Sequence, residues 1–524
     1  MDKNSKSKVL FDGAFVLALA TVVTKVLGLL YKAPLSRILG DEGMGYFNSA
    51  YTVYTFFYIL CSAGVPKAIT IIISENDAKN ERVGEKRILT VAFLSFFIIG
   101  LAFSLIFFTL SEELCVLIKN SGAFYTMLSV APSVMFVSLA GVAKGFLNGH
   151  SRLVPIAVSQ LIEGGAKFFL GIAFAKIGFA RGMSLPLLSA FTVLGITLGT
   201  IFSALYLVIS TKSVLPKKKC RTKIKSYNII KRIIKISVPL TLGAAVMSIS
   251  NIIDLLTIMS RLRALGYSEA GASALYGNYT TLAIPMFNLV TALVSPFFIA
   301  ALPLISRSFA RGDFKDFEDK TALALRKALF ISVPATVVFI FYSKESLSLI
   351  FEKSAVEVGA PLLSILAPSL IFFTAQCVIN TALEGAGHYK APIITMLVGA
   401  AVKLVASFFL ISNGGFGIAG APFGTVLSYA FGFFTALLFL YTSTTVTVPI
   451  FREIFRPLLC ALGAFSIAEL LKNLLNFTAQ NAFQSLILLV IFAFFYCSFY
   501  AIIFLYLKNN QIFPSNCTKK ELNY

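Results

Sequence analysis

The chain has 524 residues, of which 57% are hydrophobic and 13% charged, with a net charge of +21 and a mean hydropathy of +0.84. A soluble domain carries about twice that charged fraction, so an ordinary globular enzyme is excluded, and so is a disordered chain. The apolar residues fall in blocks of roughly 20 to 30, each long enough to cross a ~30 Å hydrocarbon core as a helix, and the fold class expected is an all-α polytopic membrane protein.

Fourteen spans are predicted, near 11–31, 45–73, 88–110, 122–147, 153–178, 184–210, 236–260, 270–306, 325–342, 358–383, 391–412, 418–442, 457–475 and 482–507. The first opens like a signal peptide, with Lys3, Lys6 and Lys8 before an apolar run and Ala18-Leu19-Ala20. That run continues to Leu30, too long for a cleaved segment, so it reads as a retained helix. With the N-terminus inside, the inner loops and tails hold 31 Lys and Arg, the outer loops 9 and the spans 5, of 45 in all. The loop 211–235 alone holds ten and no acid. The positive-inside rule therefore predicts that both termini are cytoplasmic, and it accounts for the net charge without nucleic acid. The basic loop reads first as a topology signal in contact with anionic lipid.

The two sides of that loop resemble each other. Ala131-Pro132-Ser133 matches Ala367-Pro368-Ser369 at offset 236, Pro155 matches Pro392 and Pro66 matches Pro303 at 237, and Tyr46 and Asn48 match Tyr276 and Asn278 at 230. The offset grows inside span 8, where Pro285 and Pro296 predict a bend. Six helices per unit preserve orientation, so the halves read as parallel repeats. The expected organisation is an N-lobe (1–210, helices 1–6), a basic cytoplasmic linker (211–235), a C-lobe (236–445, helices 7–12), and helices 13 and 14 with a tail (446–524). Such a bundle suits alternating access around a site between the lobes.

Several stretches carry a family resemblance: Val23-Thr24-Lys25-Val26-Leu27-Gly28, Leu35-Ser36-Arg37-Ile38-Leu39-Gly40-Asp41-Glu42-Gly43, Ala63-Gly64-Val65-Pro66, Ser237-Val238-Pro239-Leu240-Thr241-Leu242-Gly243 and Ala274-Leu275-Tyr276-Gly277-Asn278-Tyr279-Thr280. They resemble the stage V sporulation protein B group of the multidrug/oligosaccharidyl-lipid/polysaccharide exporter superfamily, a polysaccharide biosynthesis protein family similar to the lipid II flippases. The resemblance covers nearly the whole chain. It implies a MATE-like flippase fold in the plasma membrane of a bacterium and an undecaprenyl-diphosphate-linked saccharide as cargo, lipid II included, for cell-wall or spore-cortex synthesis. Cell-wall synthesis proteins are the partners it implies, beside membrane lipids. Where lipid II flippases carry several arginines in the first lobe's cavity, this chain has Lys25 at one matching position and no arginine near Tyr58.

A charge at mid-membrane is costly and marks a functional candidate. Lys25 lies past the middle of span 1, Lys32 seven residues on along nearly the same face, and Arg37 in the loop beyond: a rising cationic stripe suited to a diphosphate, against the plainer reading of interfacial snorkelling. Asp254 lies near the depth of Lys25 on the repeat-related helix, with Arg261 and Arg263 following, and is expected to restrain a cation across the cleft or to form a static helix–helix bridge. With Asn278 these residues form the candidate substrate-binding set. Glu163 and Lys167, four apart in span 5, are expected to pair along one helix face. Lys403 takes the Lys167 position in the second repeat, and Glu469 is expected to pair with Lys472 or snorkel.

No catalytic or metal-ligating residue is assigned. The seven cysteines are scattered without a Cys-x-x-Cys pair and only two histidines occur, so neither a disulfide framework nor a metal is expected. No Gly-Lys-Ser/Thr loop is present, which leaves no cofactor and makes the membrane potential or an ion gradient, the ion unspecified, the expected driver. Gly415-x-Gly417-x-x-Gly420 opens a span with no preceding strand and carries no dinucleotide meaning. Two rivals remain: a cation-coupled drug or small-molecule antiporter of the same superfamily, which would want an acid-lined aromatic cleft, and a membrane glycosyltransferase, which would need carboxylates on sizeable outer loops.

Overall fold

The structure is a computed structural model that describes residues 3–78, 84–215, 226–413, 415–444, 446–475 and 481–509. Most of the basic loop, with Cys220, and the tail, with Cys517, lie outside the described residues.

The chain opens with α1 (Lys3–Ser62), broken at Gly40, whose φ of 63° is left-handed backbone that glycine adopts without strain. Then come α2 (Gly64–Ala78), α3 (Glu85–Thr109), α4 (Ser111–Leu117), α5 (Phe124–Val130), α6 (Ser133–Gly149), α7 (Leu153–Ala180) and α8 (Leu185–Lys212). α9 (Ser226–Ala264) and α10 (Glu269–Asn278) lead into a π-turn at Tyr279–Ala283 and then α11 (Ile284–Ala310). The rest is α12 (Phe314–Phe341), α13 (Ser343–Ser348), α14 (Lys353–Leu366), α15 (Ser369–Gly385), α16 (Lys390–Ser412), α17 (Gly420–Thr444), α18 (Ile450–Leu474) and α19 (Ala482–Asn509). Among the described residues there is no strand.

Among the described residues ten helical runs are long and apolar enough to span a membrane, and two bent pairs bring the number to twelve. The fourteen expected from the sequence would further count Leu19–Ser74, 56 residues long, as two passes and add α9. The bent pairs report the internal repeat directly. α5 meets α6 at 41° and α14 meets α15 at 42°, each at its copy of Ala-Pro-Ser. Proline cannot donate to the preceding turn and its ring crowds it. The following serine bridges the break in both copies: Ser133 Oγ donates to the Val130 carbonyl at 2.6 Å, and Ser369 Oγ to the Leu366 carbonyl at 2.5 Å.

Packing divides the chain into two compact units, residues 1–285 with 396–424 and residues 286–395 with 425–524. These units are drawn differently from the repeats, since the first contains the opening of the second repeat. In the first, α2, α3, α6 and α9 share an aliphatic core around Ile69, Ile73, Leu89, Phe146 and Ile233. Lipid offers no hydrophobic drive for helices to associate, so close approach through small residues matters. A Cβ on Gly195 would lie 2.5 Å from the Gly171 amide nitrogen, where α8 crosses α7. One on Gly277 would lie 2.5 Å from the Asp41 carbonyl oxygen and 2.7 Å from the Gly45 nitrogen. α1 and α10 therefore cross backbone against backbone. In the second unit, α18 and α19 dock on α12: Arg326 grips the buried Glu453 at 2.8 and 3.0 Å, and Tyr496 donates to the Phe330 carbonyl at 2.9 Å.

The crossing predicts a contrast between glycines. Gly277→Ala should lower the melting temperature of the solubilised protein, with an overpacking cost of about 1–3 kcal/mol. Gly165→Ala, where an added Cβ meets nothing within 4 Å, should leave it unchanged or raise it by the usual helical gain of about 0.5–1 kcal/mol. Equal behaviour of the two variants would contradict the crossing.

Candidate functional site

The candidate residues of the first repeat lie on α1 and α7, which run together in the first unit. Small side chains set their separation: a Cβ on Gly164 would come 2.9 Å from Thr24 Cγ2, and Thr21 Oγ1 donates to Gln160 Oε1 at 3.2 Å. This places Glu163 and Lys167 beside the stretch that carries Lys25 and Tyr31.

Lys167 does not make the ion pair expected with Glu163. Its ammonium lies 4.7 Å from the Tyr51 ring centroid and 5.6 Å from that of Tyr31. The electron-rich ring faces answer the charge in a desolvated place, an interaction worth about 0.5–2 kcal/mol, and they draw the side chain off its own helix. Tyr51 belongs to an aromatic ladder on α1 of Phe47, Tyr51, Tyr54 and Tyr58, with successive centroids 5.9–6.2 Å apart. Glu163 has Lys144 of α6 as an electrostatic neighbour instead.

Lys25 is exposed on α1, and among the described residues no ion pair joins it to Asp254. Asp254 of α9 is engaged by Lys403 of α16, with both side chains about 85% shielded. Of the two arrangements expected for Asp254, the structure shows the helix–helix bridge and not a pairing with the first lobe's cations: Lys403 approaches from the second repeat itself and neutralises the carboxylate there. Lys403 is the repeat counterpart of Lys167, and Asp254 lies within one residue of the counterpart of Lys25. Around these positions the second repeat holds a neutral Asp–Lys pair, whereas the first holds two lysines, with Glu163 one helical turn from Lys167.

Lys32 is half-buried and held. Its Nζ donates to the Thr280 carbonyl at 2.6 Å and to Asn48 Oδ1 at 3.3 Å. Asn48 Nδ2 donates in turn to the Met44 carbonyl at 2.9 Å and to Thr281 Oγ1 at 2.8 Å. Asn278, the repeat partner of Asn48, donates to Asp41 Oδ2 at 3.1 Å. The two asparagines therefore fasten α1 to the α10 region from opposite sides. Their alignment was visible in the sequence; their structural role was not.

The remaining candidates part company. The Arg261 guanidinium lies 4.0 Å from the Phe408 ring centroid, and its Nε is buried without a hydrogen-bond partner. Arg263 is exposed and donates to the Tyr267 carbonyl at 3.0 Å. It lines a cavity of about 1030 Å³ with Glu112, Lys119, Asn120 and Glu269. Cys115, in the wall of that cavity, is buried, and burial pushes its thiol up to about 12, so it offers no reactive thiolate. Arg37 is exposed at the far end of the α1 stripe. Glu469 pairs as expected with Lys472, at 3.2 Å. Sequence reading missed the buried contact of Glu85 with His150, with Oε2 and Nε2 3.3 Å apart; Glu85 sits in a polar-looking loop margin that gave no signal of burial.

Comparison with known proteins agrees with this architecture. A family model described as polysaccharide biosynthesis protein matches residues 10–309, and one described as MatE matches residues 239–409. Stage V sporulation protein B of Bacillus subtilis (strain 168) is 22% identical over 419 residues, covering 79% of this chain and 80% of that protein. Lipid II flippase MurJ of the same organism is 22% identical over 453 residues, covering 83% and 82%. Among solved structures, the inward closed conformation of lipid II flippase MurJ superposes with a TM-score of 0.67 at 17% identity, over 94% of this chain and 99% of that one. An inward-facing multidrug resistance MATE family transporter of the MOP superfamily gives 0.66 at 13% identity, over 80% and 93%.

Two double-mutant cycles separate the charge pairs. Asp254→Asn alone should cost about 3–5 kcal/mol, because it strands Lys403, and Asp254→Asn with Lys403→Met should cost less than either single change. Glu163→Gln and Lys167→Met should instead couple by no more than the roughly 0.2–0.5 kcal/mol of neighbours one helical turn apart. Thermal unfolding in detergent reads both, and strong coupling in the second cycle would contradict the observed geometry.

Proposed function

Since the chain belongs to the polysaccharide biosynthesis protein family, and so to the MOP superfamily of membrane transporters and flippases, we propose that it moves an undecaprenyl-diphosphate-linked saccharide, such as lipid II, from the inner to the outer leaflet. The observation that carries this reading is the broken charge symmetry of the repeats. Asp254 and Lys403 cancel, while Lys25 and Lys167 at the related positions are both cationic, with Lys32 close by on α1. A mobile anion fits such a place better than a cationic drug.

The proposed cycle is alternating access. The diphosphate enters on Lys25, passes along α1, and leaves on the opposite side, while the prenyl tail stays in lipid, along the last two spans, α18 and α19. Two negative charges moving outward gain ~4.6 kcal/mol at about 100 mV, inside negative, at ~2.3 per charge. The potential then also draws the emptied cationic site back, and no nucleotide is needed. This reading takes the first and second repeats as the moving lobes, both termini as cytoplasmic, and the bacterial plasma membrane as the location. Cell-wall or spore-cortex synthesis would consume the cargo.

A second reading is a cation-coupled antiporter, which the MatE match and the MATE superposition favour. Binding separates the two: purified protein should retain a labelled polyprenyl diphosphate and not a cationic dye.

The function is tested by survival of a flippase-depleted strain, with membrane levels of each variant measured alongside. Lys25→Ala should abolish rescue at normal expression, and Lys25→Arg should retain part of it, since a mobile diphosphate needs the charge more than a fork geometry. Full rescue by Lys25→Ala would remove the assignment. The orientation has its own test: in a cysteine-free background, a cysteine at Asn413 should react with an impermeant thiol reagent added to intact cells, and one at Ser213 should not. The reverse pattern would invert the topology.

A further inference from the structure

The π-turn between α10 and α11 has a local cause. Pro285 lacks an N–H and its ring presses on the carbonyl four residues before it, that of Thr281. Widening the helix by one residue relieves that pressure, and the Ile284 N–H accordingly bonds the Tyr279 carbonyl five residues back. The Thr280 carbonyl thereby loses Ile284, its ordinary donor, and the residue one further on is Pro285, which has no hydrogen to give. A part-buried carbonyl within an apolar helical run needs a partner. Lys32 of α1 supplies it, at 2.6 Å, steadied by Asn48, which also holds Thr281 Oγ1. The chain passes from the first packing unit to the second immediately after this turn, at Pro285 and Met286.

We propose that Lys32 is a cargo-displaceable clamp, tying the Tyr279–Ala283 π-turn to α1 when the site is empty and releasing it when a diphosphate takes the ammonium. The inference rests on the diphosphate reading given above. A phosphate oxyanion is a stronger acceptor than a neutral carbonyl, because charge-assisted hydrogen bonds are roughly twice as strong. Lys25 stands two turns before Lys32, roughly 10 Å along the axis at 1.5 Å per residue, so an anion leaving Lys25 along α1 meets Lys32 next. Lysine suits such a clamp because its three donors rotate on a flexible stem, whereas an arginine fork would hold the carbonyl in one geometry. Cargo arrival is thus converted into a backbone event, since the Thr280 carbonyl must find another donor and the turn must loosen or re-form to provide one.

The test is hydrogen exchange of the amides of residues 279–284 in nanodiscs, with undecaprenyl diphosphate as probe and its retention checked by native mass spectrometry. Without lipid, Lys32→Met should exchange roughly tenfold faster than wild type in this segment, as expected when a local opening is unlatched. Saturating undecaprenyl diphosphate should raise the wild type to a similar rate and leave Lys32→Met unmoved. Pro285→Ala restores a backbone donor and lets the turn close as ordinary helix, so Lys32→Met added to Pro285→Ala should have little effect. If Lys32→Met does not alter exchange, there is no clamp. If it does, but wild type with lipid retained stays protected, Lys32 is a fixed staple and the displacement is wrong. If wild type retains no diphosphate, the cargo reading fails, and the Lys32→Met and Pro285→Ala arms still decide whether the clamp exists.

Discussion

A charge or a bare backbone carbonyl within the hydrocarbon has no water to answer it, and this chain answers such groups with several different chemistries. Asp254 is neutralised by Lys403. Glu453 is held by the Arg326 fork, and Glu469 by Lys472 and the Tyr342 hydroxyl. Lys167 turns to aromatic faces, and Lys32 to a carbonyl that its own helix cannot satisfy. Because leaving any of these unanswered is expensive, the partners fix which helices meet and how deep they sit. α9 meets α16, α18 meets α12, and α1 meets both α7 and the α10 region through such contacts.

Small residues permit what polar partners then specify. α1 and α10 touch backbone to backbone at Gly45 and Gly277, and only that proximity brings Asp41 within reach of Asn278 and Lys32 within reach of Thr280. A larger residue at either glycine would lengthen every one of these hydrogen bonds together. The crossing therefore holds as a set or parts as a set.

Much of the fold was legible from hydropathy and proline. Spans such as 88–110, 153–178 and 391–412 fell within a few residues of α3, α7 and α16, whereas α9 and α12 begin about ten residues earlier than expected, and the repeated Ala-Pro-Ser proved to bend both copies by nearly the same angle, because the cause is a property of proline itself. Partner identity was less legible. Glu163 and Lys167 have ideal spacing for an intrahelical pair, yet spacing says nothing of the aromatic ladder that α1 brings alongside. Asp254 was singled out as a charge within an apolar run, but position along a helix does not reveal which neighbour faces it, and Lys403 lies 149 positions away in sequence. Pro285 signalled a bend; that the distortion would be a π-turn, and that a lysine 248 residues earlier would complete it, depended on tertiary contact.

The repeats argue for a division of labour. The matched stretches of the two halves treat their charges differently. In the second repeat the Asp254–Lys403 pair joins two helices and contributes no net field. In the first, the corresponding positions carry two lysines, Lys25 and Lys167, and Lys167 is stabilised by rings that cancel none of its charge. Cation–π contacts leave the long-range potential intact where a carboxylate would extinguish it. An ammonium held this way keeps its field while avoiding the cost of bare charge in a dry interior, and aromatic partners are side chains able to meet both demands at once.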